Sequence, residues 1–301
     1  MHHHLSWLEA GVVGAMQGVA ELFPVSSLGH SVLIPAVVGG SWARDLNVST
    51  PESPYLAFIV GLHVATAIAL IIYFWRDWVR IVGALITSIG RREIRTPDQR
   101  LAWLLVIATI PVGITGLLLE HSFRTTLAKP NPTAAFLMVN GLILLFAERL
   151  RRRDPSVNTQ YVDERITGPE SDRKLAAQPT AQAVGIGSTQ ILALAPGISR
   201  SGVAMVGGMI AGMSREDAAR FSFLLATPVI LAAGALKLGD LGGHLGDGIR
   251  GQVVFASILS GIGAYLSVRF LTKYLSNRSL RPFGAYCMAA GAFCLIWFAV
   301  R

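Results

Sequence analysis

The chain has 301 residues, 52% of them hydrophobic and only 15% charged, with a mean hydropathy of +0.52. So few charges can hardly cover a soluble surface, and a membrane is the natural solvent. The formal charge of +8 is spread in short clusters between apolar stretches, which reads as membrane topology and excludes a nucleic-acid stripe.

In chain order, His2, His3 and His4 resemble a partial tag or chance and carry no function in this reading. Residues 5–40 are apolar but broken near the middle by the run Gln17 to His30. Gln17 and Glu21 are four apart and share a helical face that ends before Pro24, which breaks the helix. Ser26 and Ser27 open the next helix, where serine caps orphan N–H groups and the positive end of the dipole favours an anion. His30 lies three beyond Ser27 on the same face. Glu21 and His30 are ionisable groups at membrane depth, which by default mark a function; the plain alternative is that they pair with each other for packing.

Spans are expected at residues 55–75, 101–119 and 133–148, since about 20 residues at ~1.5 Å rise cross the hydrocarbon. The Arg-rich segment 149–179, with Pro155, Gly168 and Pro169, reads as a cytoplasmic linker. A second broken apolar region, 180–217, has the tip Pro196, Gly197, Ile198, Ser199, Arg200, Ser201, Gly202. Arg200 cannot shed its charge, so it needs an anion: Glu21 as a structural bridge, or a substrate phosphate that suits its planar fork. Three further spans are expected at 218–238, 251–271 and 282–300, the last carrying Cys287 and Cys294, seven apart, as packing residues.

Arginine and lysine cluster after the first, third and fifth spans and are sparse in the alternate connections, which makes the basic loops cytoplasmic. With that topology neither broken region can cross. The first begins and ends outside and the second inside, so both should be re-entrant hairpins whose tips meet near the midplane, buried in protein or lining a wet cavity. Shifting the chain by 173 residues lays Gly14, Gln17, Ala20, Ser26 and Gly29 on Gly187, Gln190, Ala193, Ser199 and Gly202. The expected fold is therefore an all-α polytopic membrane protein, six transmembrane helices plus two re-entrant hairpins in an inverted-topology repeat. It is a single membrane domain over 1–301. Residues 1–148 form one half (hairpin 5–40), 149–179 the linker and 180–301 the other half (hairpin 180–217).

The run Gln17 to Glu21, Pro24 to Ser27 and Gly29-His30, with Pro196 to Gly202, resembles the two signatures of the undecaprenyl-diphosphate phosphatase family (BacA/UppP type), and the likeness extends through the stretch from Arg215 to Ala226. The resemblance implies a multi-pass enzyme of the bacterial plasma membrane. Such an enzyme hydrolyses undecaprenyl diphosphate to the monophosphate, recycles the carrier lipid for wall synthesis, bears on bacitracin resistance, and has its site toward the outer face. It implies a divalent cation, Mg²⁺ or Ca²⁺, for which Glu21 is the ligand candidate. Two positions depart from the pattern: Ala204 where the family usually has threonine, and Gln17 where it often has glutamate. The expected partners are the polyprenyl diphosphate lipid, membrane lipids and a second copy of the chain, with no nucleic acid.

The expected mechanism is in-line attack on the terminal phosphorus, with Arg200 and the backbone N–H groups of both tips stabilising the charge. The catalytic candidates are Ser27, His30, Arg200 and Glu21; the substrate-binding candidates are Gln17, Ser26, Gly197, Ser199 and Ser201. Two assignments stay open: Ser27 as nucleophile with His30 as its base, or His30 as nucleophile with Ser27 as phosphate ligand. A transporter or flippase for an anionic lipid, and a non-catalytic paralogue pointed to by Ala204, are the competing functions.

Overall fold

Helix starts follow from local capping chemistry. Ser6 and Glu9 form a capping box, the Glu9 N–H donating to Ser6 Oγ (3.2 Å) and the Ser6 N–H to Glu9 Oε2 (2.9 Å), and this opens α1 (Trp7–Leu22). The computed structural model describes residues 5–47, 54–151, 169–242 and 248–300. His2, His3 and His4, and residues 152–168 of the expected linker, lie outside the described residues. After α1 come α2 (Ser27–Val38), α3 (Gly40–Asp45), α4 (Pro54–Tyr73), α5 (Trp75–Arg91), α6 (Pro97–Leu127) and α7 (Pro130–Arg151). There follow α8 (Pro169–Ala176), α9 (Thr180–Thr189), a 3₁₀ segment (Gln190–Leu194), α10 (Arg200–Ile210), α11 (Arg215–Gly242), α12 (Arg250–Asn277) and α13 (Arg281–Val300).

Among the described residues, α6, α7, α11, α12 and α13 are each long and apolar enough to cross a bilayer. A sixth span is reached only by the bent pair of α4 and α5, which meet at 90°. The protein is a polytopic all-α membrane protein, as expected. One correction concerns residues 76–100, expected as a basic loop. They open instead as the 17-residue helix α5, with Val79, Val82, Ile86 and Ile89 exposed, Trp78, Ile81 and Leu85 packed on the core, and its charges Arg76, Asp77, Arg80 and Arg91 at the ends, as suits a helix lying in an interface. At 17 residues, with those charges at its ends, it is too short and too interrupted by charge to be found by a search for spans.

The helices of the two broken regions, 16 and 12 residues in one and 10 and 11 in the other, are too short to cross ~30 Å of hydrocarbon alone. Each region enters and leaves the bundle at the same end. Leu5, Trp42 and Leu46, at the outer ends of the first, share an apolar cluster with Tyr55 and Ile249. At the opposite end, the Gln182 amide donates to the Ala211 carbonyl and ties the start of α9 to the end of α10. The two units therefore enter from opposite ends.

Close backbone approach fixes where they sit. A Cβ on Gly14 of α1 would stand 2.5 Å from the Ala256 carbonyl of α12, and one on Gly187 of α9 would clash likewise with the Ala108 carbonyl of α6. α11 forms the centre with α4: 67% of its span is buried, against 22–44% in the other single-helix spans, so it is walled by protein where they face lipid. Phe221, Phe223, Leu224 and Leu225 fill that core with Leu70.

At the arginine-rich end the sequence missed a second feature. α8, within the segment read as linker, is docked: Asp172 is fully buried, accepting from Arg220 Nε (3.0 Å) and Nη2 (2.9 Å) and pairing with Arg80, which also bonds Asp77 (3.0 Å). Nearby, Arg215 grips Glu148 with two bonds of 2.7 and 2.6 Å, joining α11 to α7. Charges buried this way are tolerable because each finds a counter-charge.

Candidate active site

Pro24 ends α1 and Ser26, at a φ of 68°, turns the chain into α2. That left-handed turn aims Ser26 Oγ at two backbone amides, its own helix's Gly29 N–H and the Gly197 N–H of the other tip, each at 3.2 Å. Gly197, at a φ of 108°, is where the second chain turns; a Cβ there would strike the Thr133 carbonyl, so only glycine fits. Ser199 caps α10, accepting from the Gly202 N–H at 3.1 Å, and bonds Ser201 Oγ at 3.0 Å. Asn140 of α7 clasps both tips, its amide donating to the Pro24 carbonyl (2.9 Å) and its carbonyl accepting from the Ser199 N–H (3.0 Å). The two tips meet, as the topology argument required.

Between them lies a cavity of about 110 Å³, lined by Glu21, Ser26, Ser27, His63, Ser199 and Arg200 among others. It is much smaller than the ~300–1,000 Å³ of pockets that enclose a whole small molecule, so it suits one compact group of a larger ligand. Glu21 is its hub. Its Oε1 pairs with Arg200, and its Oε2 accepts from Ser27 Oγ (2.5 Å) and Gln17 Nε2 (3.0 Å) and lies 3.2 Å from His63 Nε2. Arg200 also donates from Nη1 to the Ala226 carbonyl at 3.1 Å, which leaves N–H donors over for a ligand.

Of the residues named from sequence, Glu21, Ser26, Ser27, Ser199 and Arg200 converge on the cavity. Gln17, Gly197 and Ser201 lie outside its lining and hold it in place: Gln17 through Glu21, Gly197 through Ser26, and Ser201 through the Glu21 and Phe23 carbonyls, both at 3.4 Å. His30 is not among the lining residues either. Its Nδ1 faces the Ser26 carbonyl (2.7 Å), its Nε2 the Tyr286 hydroxyl (2.7 Å), and the two rings stack with centroids 5.7 Å apart. Ser27 donates to Glu21, so the expected Ser27–His30 pair is not formed in this arrangement.

The imidazole in the cavity is His63 of α4, which sequence reasoning passed over. Its Nδ1 faces the Ile59 carbonyl (2.8 Å) and its Nε2 the carboxylate, and a ring carrying both protons donates to both. The signal was present: a histidine inside span 55–75 is an ionisable group at membrane depth, the criterion that picked out Glu21. Asn140 and Tyr286 sit in spans as well, but their polarity is common enough in membrane helices to pass unnoticed.

A divalent cation would need oxygen ligands not already committed to donors. Glu21 is the one carboxylate lining the cavity; it faces a guanidinium, an imidazole, an amide and a hydroxyl, and no group of three or more His, Cys, Asp or Glu is found among the described residues. These side chains by themselves do not fit a protein-held ion.

Two broken-helix hairpins entering from opposite ends, with serine-capped helix starts and an arginine at their meeting point, define a polytopic membrane protein with an internal anion-handling site. The chain belongs to the BacA family: the model described as "Bacitracin resistance protein BacA" matches residues 10–293. It is 59% identical to a protein of Mycolicibacterium paratuberculosis named undecaprenyl-diphosphatase, over the full length of both chains. It is 48% identical to undecaprenyl-diphosphatase 1 of Frankia casuarinae, covering 98% of this chain and 99% of the other. A third relative, undecaprenyl-diphosphatase 2 of Chromobacterium violaceum, is 41% identical over 96% of this chain and 98% of its own.

Proposed function

We propose that this chain is an undecaprenyl-diphosphate phosphatase, hydrolysing the carrier lipid's terminal phosphate to recycle the monophosphate for wall synthesis. The observation that carries the reading is the Ser27 hydroxyl bonded to Glu21, itself paired with Arg200 from the opposing hairpin, in a cavity sized for one phosphoryl group. Family membership and full-length relatives named for this activity support it. The transport and non-catalytic readings draw no comparable support; Ala204 is buried in α10 as ordinary packing.

In this mechanism Ser27 Oγ attacks the terminal phosphorus and its proton passes to Glu21 Oε2. The bond from phosphorus to the bridging oxygen breaks, and that electron pair leaves on the polyprenyl monophosphate. Water then adds to phosphorus, the serine–phosphorus bond breaks, and the proton on Glu21 returns to Oγ. One hydrogen of the water stays on the phosphate and the other goes to solvent. Arg200 meets the charge on the equatorial oxygens, while His63 holds the carboxylate in position. His30, braced by Ser26 and Tyr286, positions the turn that carries Ser27.

The inverted repeat is part of the proposal: Gly14 and Gly187, 173 residues apart, take equivalent roles against α12 and α6. So is orientation, with the arginine-rich end cytoplasmic and the site open to the outer face. A divalent cation, Mg²⁺ or Ca²⁺, would enter with the substrate's own diphosphate oxygens, and a second copy of the chain is a further partner in this reading.

Phosphate release from undecaprenyl diphosphate by the purified protein tests the function. Arg200→Ala should lower the rate by about 100-fold or more. Substrate movement across proteoliposomes without phosphate release would refute it.

A further inference from the structure

A second cavity lies apart from the site just described. A groove of about 620 Å³ opens at the arginine-rich end, where the start of α6 meets the last turn of α8 and the start of α9. Its rim carries Arg95, Arg100 and Arg173, all exposed, and its floor Trp103, Leu104 and Ile107. The rim is a net cation. Arg95 pairs with Glu93, Arg100 gives Nη2 to the Gln178 carbonyl at 3.1 Å, and Arg173 has no ion-pair partner among the described residues. The nearby acids face other cations: Asp98 pairs with Arg80 at 3.2 Å, Asp172 with Arg220, and Glu170 lies 4.0 Å from Lys174.

The surroundings set the groove's level in the membrane. α5, with its exposed apolar row and its arginines, leads directly into it. Trp103 is half-buried with its indole N–H donating to Ser88 Oγ at 2.9 Å, the amphipathic arrangement aromatic side chains adopt at headgroup depth. Below the floor the apolar exposure continues along α6 through Ile110, Ile114, Leu117 and Leu118. Cationic rim, aromatic collar and exposed apolar track succeed one another as phosphate, glycerol and acyl chains do in a lipid. Basic pockets between membrane helices on the cytoplasmic side are recurrent sites for anionic headgroups.

We infer that this groove binds an anionic glycerophospholipid of the inner leaflet, its phosphate held by Arg95, Arg100 and Arg173 and its chains lying on Ile107 and the lipid-facing side of α6. The assignment to the inner leaflet rests on the orientation proposed above; the binding itself does not depend on the catalytic reading.

The test is native mass spectrometry of the full chain in detergent, titrated with phosphatidylglycerol or phosphatidylcholine. The wild type should retain phosphatidylglycerol in preference, and Arg95→Gln with Arg173→Gln should weaken that binding about tenfold or more, at roughly fivefold per arginine removed. The double lysine variant, which keeps the charge, should retain most of it. Arg200→Ala should bind the phospholipid like the wild type, which separates this groove from the phosphoryl site. Should the double glutamine variant fold poorly, the wild type in high salt replaces it, and its preference for the anionic lipid should collapse. Equal retention of the two lipids by the wild type would overturn the proposal. So would undiminished binding in a folded double variant, or a groove from which undecaprenyl phosphate displaces phosphatidylglycerol at equal concentration.

Discussion

Glu21 and Arg200 are 179 residues apart in sequence and paired in space, carboxylate to guanidinium, one at the end of α1 and the other at the start of α10. This pair joins the hairpin that enters from one end of the bundle to the hairpin that enters from the other. It also explains how an arginine can be kept deep in a membrane protein, since its charge is met whether or not a substrate phosphate is present.

His63 should prove to be a positioning residue. His63→Phe removes the imidazole facing Glu21 and should lower kcat by about 10- to 100-fold with little change in KM, while His63→Gln, which can still donate to the carboxylate, should recover part of the loss. Steady-state phosphate release by the three proteins decides it. A His63→Phe enzyme with wild-type kcat would remove His63 from the account.

Gly197→Ala should separate the tips. The added methyl meets the Thr133 carbonyl at a backbone angle that favours glycine, a combined cost of a few kcal/mol. Thermal unfolding in detergent should fall by several degrees, and activity should fall further than the lost folded fraction accounts for, because the same amide donates to Ser26.

The docking of α8 is a stability matter and should leave chemistry alone. Asp172→Ala removes one of the two carboxylates that Arg220 and Arg80 share; Asp77 still faces both at 3.0 Å, so the loss should be about 1–3 kcal/mol, short of the cost of an orphaned buried charge. Melting temperature should drop markedly, while kcat per folded molecule, measured with titrated active protein, should stay within about twofold of wild type. A large drop in kcat per folded molecule would connect this network to the distant site.

Much of this arrangement was legible in the residues because polar and chain-breaking side chains are costly in a membrane. Pro24, Ser26, Gly197 and Ser199 could interrupt apolar runs only where backbone is buried at a meeting point, and Arg200 demanded an anion. What escaped were the relations set by packing. Ser27 and His30 share a helix face, yet the left-handed turn at Ser26 offers its carbonyl to His30, and Tyr286, 256 residues on, takes the other nitrogen. No local spacing foretells a partner supplied by α13. α5 and α8 escaped for a different reason: charges at the ends of α5 and through α8 made both read as loop, and neither is long enough for a span, although Ile81, Leu175 and Ala176 reach the core.

The central claim is that Ser27 and Arg200, brought from opposite hairpins, act on one phosphoryl group. The most direct test is a double-mutant cycle on kcat/KM for phosphate release, using Ser27→Ala, Arg200→Ala and the pair. Residues serving one transition state should be strongly non-additive, leaving the double variant about as impaired as the worse single one. Losses that simply multiply, or wild-type turnover in either single variant, would contradict the account.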